Sequence, residues 1–169
     1  VDVVQVVNAP KLTELFGLSF TGAANVMKGI FQWRKHRRGM LTTNFAEAGG
    51  FIRSAADEAI PDLQLHFVIG KLIDHGRKTV FGHGYSCHVC LLRPRSRGHV
   101  TLASTDPFAA PLIDPNFLAD STDLARLLRG FKLMRNILAQ PALAGYRGVE
   151  LPALALRDRL FPSKVGALD

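Results

Sequence analysis

The chain has 169 residues, a length that suits one domain and lets it bury roughly 70% of its unfolded surface. Hydrophobic residues make up 47% and charged residues 21%, which excludes a disordered chain, and no apolar run reaches the roughly 18 residues of a membrane span. The formal charge of +7 invites a nucleic-acid partner, but the positives fall into Arg34–Arg38, Arg93–Arg97, a late helix and the tail, with no interleaved aromatics and no recognition motif, so none is expected.

Val1 to Val7 is rich in β-branched residues and reads as a strand ending at Asn8-Ala9-Pro10, followed by a short helical turn from Lys11 to Phe16. Thr21 is the expected cap of an amphipathic helix in which Val26, Ile30 and Trp33 recur with Met27 and Phe31, and Gly39 stops it after Arg37. Asn44 to Ser54 is strand-like, with Gly49-Gly50 marking a bulge or the close approach of another group. Leu63, Leu65, Phe67 and Ile69 alternate with Gln64, His66 and Val68 as a strand, and a loop runs from Gly70 to Lys78. Tyr85 to Leu92 and His99 to Leu102 are expected to pair as a hairpin across Arg93-Pro-Arg-Ser-Arg-Gly98. An irregular stretch, Ala103 to Ala119, is punctuated by Pro107, Pro111 and Pro115. The last helix has Asp120 or Ser121 as its cap, Asp123 in its first turn, and one apolar stripe of Leu124, Leu127, Leu128, Phe131, Met134 and Leu138, ending before Pro141. This order predicts an α+β fold, an antiparallel β-sheet with helices packed on one face, over residues 1–150, and residues 151–169 read as a tail.

Cys87 and Cys90 form a C-x-x-C, but positions three apart on a strand point to opposite faces, so buried thiols are expected and a metal site is not. Two thiols suit a reducing compartment, and the chain is expected to be cytoplasmic. His66, His83, His88 and His99 have no acid or nucleophile at a telling spacing, and Ser86, Ser96 and Ser104 lack a nucleophile-elbow context. Glu47 stands out, because a carboxylate among small and apolar strand residues is costly to bury without a partner, and Phe45 and Phe51 nearby would suit a quaternary cation. The Arg95-Ser96-Arg97 corner reads as a bend held by Arg hydrogen bonds to carbonyls and carboxylates.

The run GYSCHVCLLRPRSRGHVTLASTDPFAAPLIDPNF, from Gly84 to Phe117, resembles the substrate-binding domain of the glucose-methanol-choline (GMC) family of FAD oxidoreductases. His36-Arg-Arg-Gly-Met40, Asn44-Phe-Ala-Glu-Ala-Gly-Gly-Phe51 and Pro61-Asp-Leu-Gln-Leu-His-Phe67 precede it in that family's order, so the likeness spans about residues 32–150. It implies an FAD-dependent alcohol or choline dehydrogenase that oxidises a primary alcohol, with Glu47 as a substrate-binding residue and Phe45 as its aromatic neighbour; the alternative for Glu47 is a carboxylate that hydrogen-bonds local backbone or pairs with a structural Arg. His75 lies near where some members place a cavity His, but its surroundings match poorly and a solvated loop His is expected. The family's N-terminal G-x-G-x-x-G and C-terminal catalytic His are absent from these residues, so the chain is expected to be a substrate-domain fragment of a flavoenzyme. Alone it is expected to bind no FAD, to contribute no catalytic residue, to be inactive, and to self-associate through surface that a flavin domain covers. The alternative from another class is a non-enzymatic basic α+β module that binds an anionic partner.

Overall fold

A computed structural model of the protein describes residues 2–73 and 80–151; His75 and the expected tail from residue 152 lie outside these. In chain order it contains β1 (Asp2–Asn8), β2 (Gly17–Leu18), α1 (Phe20–His36), a short 3-10 turn at Met40–Thr42, β3 (Ala46–Ile52), β4 (Leu63–Val68), β5 (Gly82–Leu91), β6 (His99–Thr101), β7 (Leu112–Asp114), α2 (Ser121–Leu138), a 3-10 segment at Pro141–Tyr146, and β8 (Val149–Glu150). The larger sheet has strand order β3-β4-β5-β1-β8, with β2 paired to β5, and β6 and β7 form a separate ribbon. Antiparallel sheet plus helices is the α+β class that the element order predicts.

Contacts among the described residues gather into two compact units, one from residues 2–3, 49–66 and 88–138 and the other from residues 4–48, 67–73, 80–87 and 139–151.

The first unit is built around α2. Leu127, Met134 and Leu138 are buried on its inner face, as are Leu63 and Val89 on the strands. Gly130 lies so close to those strands that an added Cβ would stand 2.7 Å from Leu63 Cδ1 and 2.8 Å from Val89 Cγ2. Gly130→Ala gains helix propensity of about 1 kcal/mol but overpacks a closed site at about 1–3 kcal/mol. The expected result is a net loss of about 1 kcal/mol in urea unfolding; a stabilised variant would show that the helix does not sit this close.

The inner face differs from the expected stripe. Buried positions are Asp123, Leu127, Gly130, Met134 and Leu138, whereas Leu124 and Leu128 are exposed. A carboxylate and a glycine therefore occupy core positions that hydrophobicity alone would give to leucines.

The expected hairpin also gives way. β6 pairs with β7, His99 opposite Asp114 and Thr101 opposite Leu112. The reason lies in the connection. The N–H groups of Arg95 and Ser96, which a hairpin turn could use locally, donate to the Asp123 carboxylate at 2.9 Å each, and the Ser96 hydroxyl donates to it at 2.6 Å. Gly98 then admits Asp114 and Pro115, since a Cβ there would stand 2.2 Å from the Asp114 carbonyl oxygen. The corner is held as expected by arginine bonds to carbonyls, Arg93 to Pro61 and Arg97 to Pro94 and Ser96, but its carboxylate is reached by backbone N–H groups and Ser96. Nearby, buried Asp62 accepts from the Ser54 N–H and hydroxyl at 2.7 Å each, and Arg126 pairs with Glu58 at 2.8 Å.

In the second unit α1 begins one residue before the expected cap. Ser19, with extended backbone, accepts from the Gly22 N–H at 2.8 Å and caps the helix in place of Thr21. Arg37 adopts the left-handed conformation that ends it, ahead of Gly39. Its expected apolar face is largely exposed at Met27, Phe31 and Trp33, and the helix buries Gly22 and Gly29 instead. At Gly29 a Cβ would come within 2.9 Å of the Met40 side chain.

Candidate functional site

The second unit contains a cavity of about 360 Å³ walled by Phe16, Leu18, Val26, Phe45, Val68 and Leu72, with Lys71 as the charged group among its described lining residues. Phe45 has a positive φ of 68°, an uncommon backbone state for a bulky residue. Three contacts hold it there: its N–H donates to Thr43 Oγ1 at 2.9 Å, its carbonyl accepts from the Ile69 N–H at 3.1 Å, and its ring packs on Phe16 with centroids 4.5 Å apart. The Ile69 carbonyl in turn accepts from the Phe16 N–H at 3.0 Å, so one backbone residue fixes both rings.

His83 is 3% exposed and braces the neighbouring wall. Its Nδ1 lies 2.9 Å from the Leu15 carbonyl and its Nε2 lies 2.6 Å from Ser19 Oγ. A carbonyl only accepts, so the proton resides on Nδ1 and Ser19 donates to Nε2. Ser19 Oγ is left to accept the Gly22 N–H, so each member of the Leu15–His83–Ser19–Gly22 relay has its partner. The Ser–His pair is consumed in capping α1; it has the distance of a nucleophile and base but the role of a brace.

Lys71 extends over Gly82 and Gly84, where added Cβ atoms would stand 3.3 Å from its Nζ and 2.9 Å from its Cγ. Its ammonium donates to Asn8 Oδ1 at 3.0 Å and to the Phe81 carbonyl. Partial burial lowers its pKa from the usual lysine value, because desolvation disfavours the charged form. The cavity thus offers apolar walls, two aromatic rings and one donor-rich cationic head, a combination that suits an apolar chain carrying a hydroxyl or an anion.

The two residues singled out by sequence separate here. Phe45 lines the cavity, while Glu47 does not belong to its walls. Glu47 is exposed on β3, at the edge of the sheet, and has no hydrogen-bond or ion-pair partner among the described residues. The premise of a costly buried carboxylate is therefore corrected: an edge strand leaves the group in water. Gly49 beside it behaves as expected, since a Cβ there would meet the Leu65 carbonyl oxygen at 2.4 Å. Lys71 was not singled out by sequence, because its partner Asn8 is 63 residues away and no local pattern marks it.

In the first unit the Asp2 carboxylate pairs with His88 Nδ1 at 3.0 Å, and Cys90 Sγ lies 3.7 Å from His66 Nε2. Burial is the main cause of a raised Cys90 pKa, which opposes thiolate formation. Among the described residues no three His, Cys, Asp or Glu side chains converge on a point that could hold a metal ion. The chain's one Gly-x-Gly, Gly82-His83-Gly84, lies within β5, where a Cβ at Gly84 would stand 2.1 Å from the Val7 carbonyl oxygen. These glycines serve strand packing and do not form the strand-to-helix turn that cradles a flavin pyrophosphate, so the described residues do not fit an FAD phosphate site.

The sequence profile described as GMC oxidoreductase matches residues 94–166. An alcohol dehydrogenase [acceptor] of Pseudomonas putida is 40% identical over 147 residues, 85% of this chain and 27% of that protein. An oxygen-dependent choline dehydrogenase of Klebsiella pneumoniae is 41% identical over 120 residues, 71% of this chain and 22% of that protein. The chain thus spans about a quarter of the length of the curated relatives it matches. In fold it is similar to formate oxidase of Aspergillus oryzae, a structure concerned with FAD modification, with a TM-score of 0.70 at 22% identity over 89% of this chain and 31% of that one. The ordered motif blocks, the antiparallel sheet with its helices, and these matches lead to one conclusion: the chain belongs to the GMC oxidoreductase family.

Proposed function

We propose that this chain is the substrate-side domain of an FAD-dependent oxidoreductase that acts on an uncharged primary alcohol. The observation that carries the reading is the cavity walled by Phe16, Phe45, Val68 and Leu72, in which Lys71 is the one charged residue among the described wall residues. An ammonium repels a second cation by about 1–4 kcal/mol across a few ångströms of partly hydrated protein, whereas it can donate a hydrogen bond to a hydroxyl oxygen. FAD supplies the redox chemistry in this family. The chain's own residues shape and exclude: aromatic and aliphatic walls take the alkyl chain, and Lys71 orients the polar end. The dehydrogenase of P. putida that resembles it over 147 residues is an alcohol dehydrogenase, which supports the same substrate class.

A second reading is favoured by the exposed Glu47, whose charge is unshared among the described residues. It would face a trimethylammonium group, as the likeness to choline dehydrogenases implies.

Titrating the chain with 1-hexanol and with choline, each followed by backbone and aromatic NMR shifts, tests the assignment. Hexanol is expected to shift Phe16, Phe45, Val68 and Leu72 while choline leaves them unmoved. The converse pattern would sink it. The purified chain is also expected to be colourless, since its described residues form no pyrophosphate grip; stoichiometric flavin absorption would contradict that.

A further inference from the structure

The first unit carries a second cavity, about 550 Å³ in volume, lined by Arg93, Arg95, Arg97 and Arg126 with Glu58 and Asp62. We propose that this groove binds the phosphate group of a small molecule. Four guanidiniums face two carboxylates, and those carboxylates are engaged: Glu58 with Arg126 at 2.8 Å, Asp62 with Arg126 at 3.6 Å and with Ser54 at 2.7 Å. Arg93, Arg95 and Arg97 are exposed and face the opening without a carboxylate hydrogen bond of their own.

The corner that bears them is fixed in advance. Asp123 takes the N–H groups of Arg95 and Ser96 and the Ser96 hydroxyl, which draws residue 96 to the protein while residues 93, 95 and 97 line the groove. Arg93 and Arg97 are steadied further by the carbonyls of Pro61, Pro94 and Ser96, and each of these bonds uses Nη1 alone. A guanidinium has five N–H donors, so most remain for a ligand. The Arg95 side chain makes no hydrogen bond among the described residues, although its charge acts on the nearby Asp120 carboxylate. Preorganised forks around one opening match the several oxygens of a phosphate better than the two of a carboxylate. The groove has the size of a small-molecule site, and its apolar walls, Ile60, Leu92 and Pro94, offer no aromatic side chain on which a base could stack.

The test uses the 169-residue chain, with arginine Nε–Hε resonances followed during titration by inorganic phosphate and by glycerol phosphate at constant ionic strength, and by chloride and acetate as comparators. Saturable shifts at Arg95 and Arg97 with either phosphate, at a Kd on the order of 1 mM or tighter, are expected. The tighter of the two names the source of the group, a free phosphate or a phosphomonoester. Arg95→Gln combined with Arg97→Gln should weaken binding at least about tenfold, with the Ser96 amide resonance retained as evidence of an intact corner. Arg97→Lys keeps the charge, loses the fork and should fall between. Lys132→Gln, on the exposed side of α2, should change nothing. Equal responses to phosphate and chloride, a loss in Lys132→Gln as large as in the double variant, or an oligonucleotide that outcompetes phosphate in proportion to its length would overturn the proposal.

Discussion

Replacing Asp123 by Ala is expected to cost about 3 kcal/mol of stability, the largest single-site loss in the first unit. The carboxylate is 1% exposed and accepts three hydrogen bonds, from the Arg95 N–H, the Ser96 N–H and the Ser96 hydroxyl. Removing it strands two backbone donors and frees the corner that directs the chain to β6. Burial by itself would raise the Asp123 pKa, but the Arg95 N–H, the Ser96 hydroxyl and N–H and the charge of Arg126 together outweigh it, and the net shift is downward. A carboxyl with a depressed folded pKa gives stability that is present above its unfolded value, 3.8, and is lost as pH falls through the folded value. Asp123→Asn, which keeps the shape, should therefore differ from the parent by about 2 kcal/mol at pH 7 and by progressively less below pH 4. Urea unfolding across that range checks both statements. A gap that stays constant as the acid range is entered would show that charge has no part in holding the corner.

The second large effect is expected at Lys71. Lys71→Met keeps the stem that packs over Gly82 and Gly84 but removes the bonds to Asn8 Oδ1 and the Phe81 carbonyl. A charge-assisted hydrogen bond contributes about 1.5–3 kcal/mol, offset in part because a desolvated ammonium is no longer held, so a net loss of about 1–2 kcal/mol is expected. The same change removes the repulsion of a cation from the cavity. Choline should then shift the Phe16 and Phe45 resonances where it did not before. A variant that loses stability yet still excludes choline would confine Lys71 to architecture.

Much of the architecture is legible from local pattern alone. The first strand, the span of α1 and the span of α2 follow from β-branched content, apolar recurrence and helix stops at Arg37–Gly39 and before Pro141. What pattern misses are choices made by distant partners. The hairpin across Arg93–Gly98 fails because Asp123, 27 residues beyond Ser96, takes the turn's donors. The stripe on α2 is misread because that bond buries a carboxylate, and because close packing at Gly130 rewards the lack of a side chain. The cap moves from Thr21 to Ser19 because His83 fixes the Ser19 hydroxyl from 64 residues away. Of the two expected substrate residues, Phe45 falls in a cavity because a left-handed backbone turns it beside Phe16, a conformation no periodicity encodes. Glu47 misleads the burial argument because sheet position, not sequence, makes β3 an edge.

Selection of an uncharged alcohol by these residues, as proposed, is tested most directly by a segment exchange. The matching segment of the P. putida alcohol dehydrogenase, 40% identical over 147 residues, can be replaced by this chain and kcat/KM compared for 1-hexanol and choline. The expected product is a flavin-containing chimera that oxidises hexanol, prefers it to choline by at least about tenfold, and keeps that preference when Glu47→Gln is introduced. Preference for choline that collapses with Glu47→Gln would contradict the proposal and transfer the selecting role to Glu47.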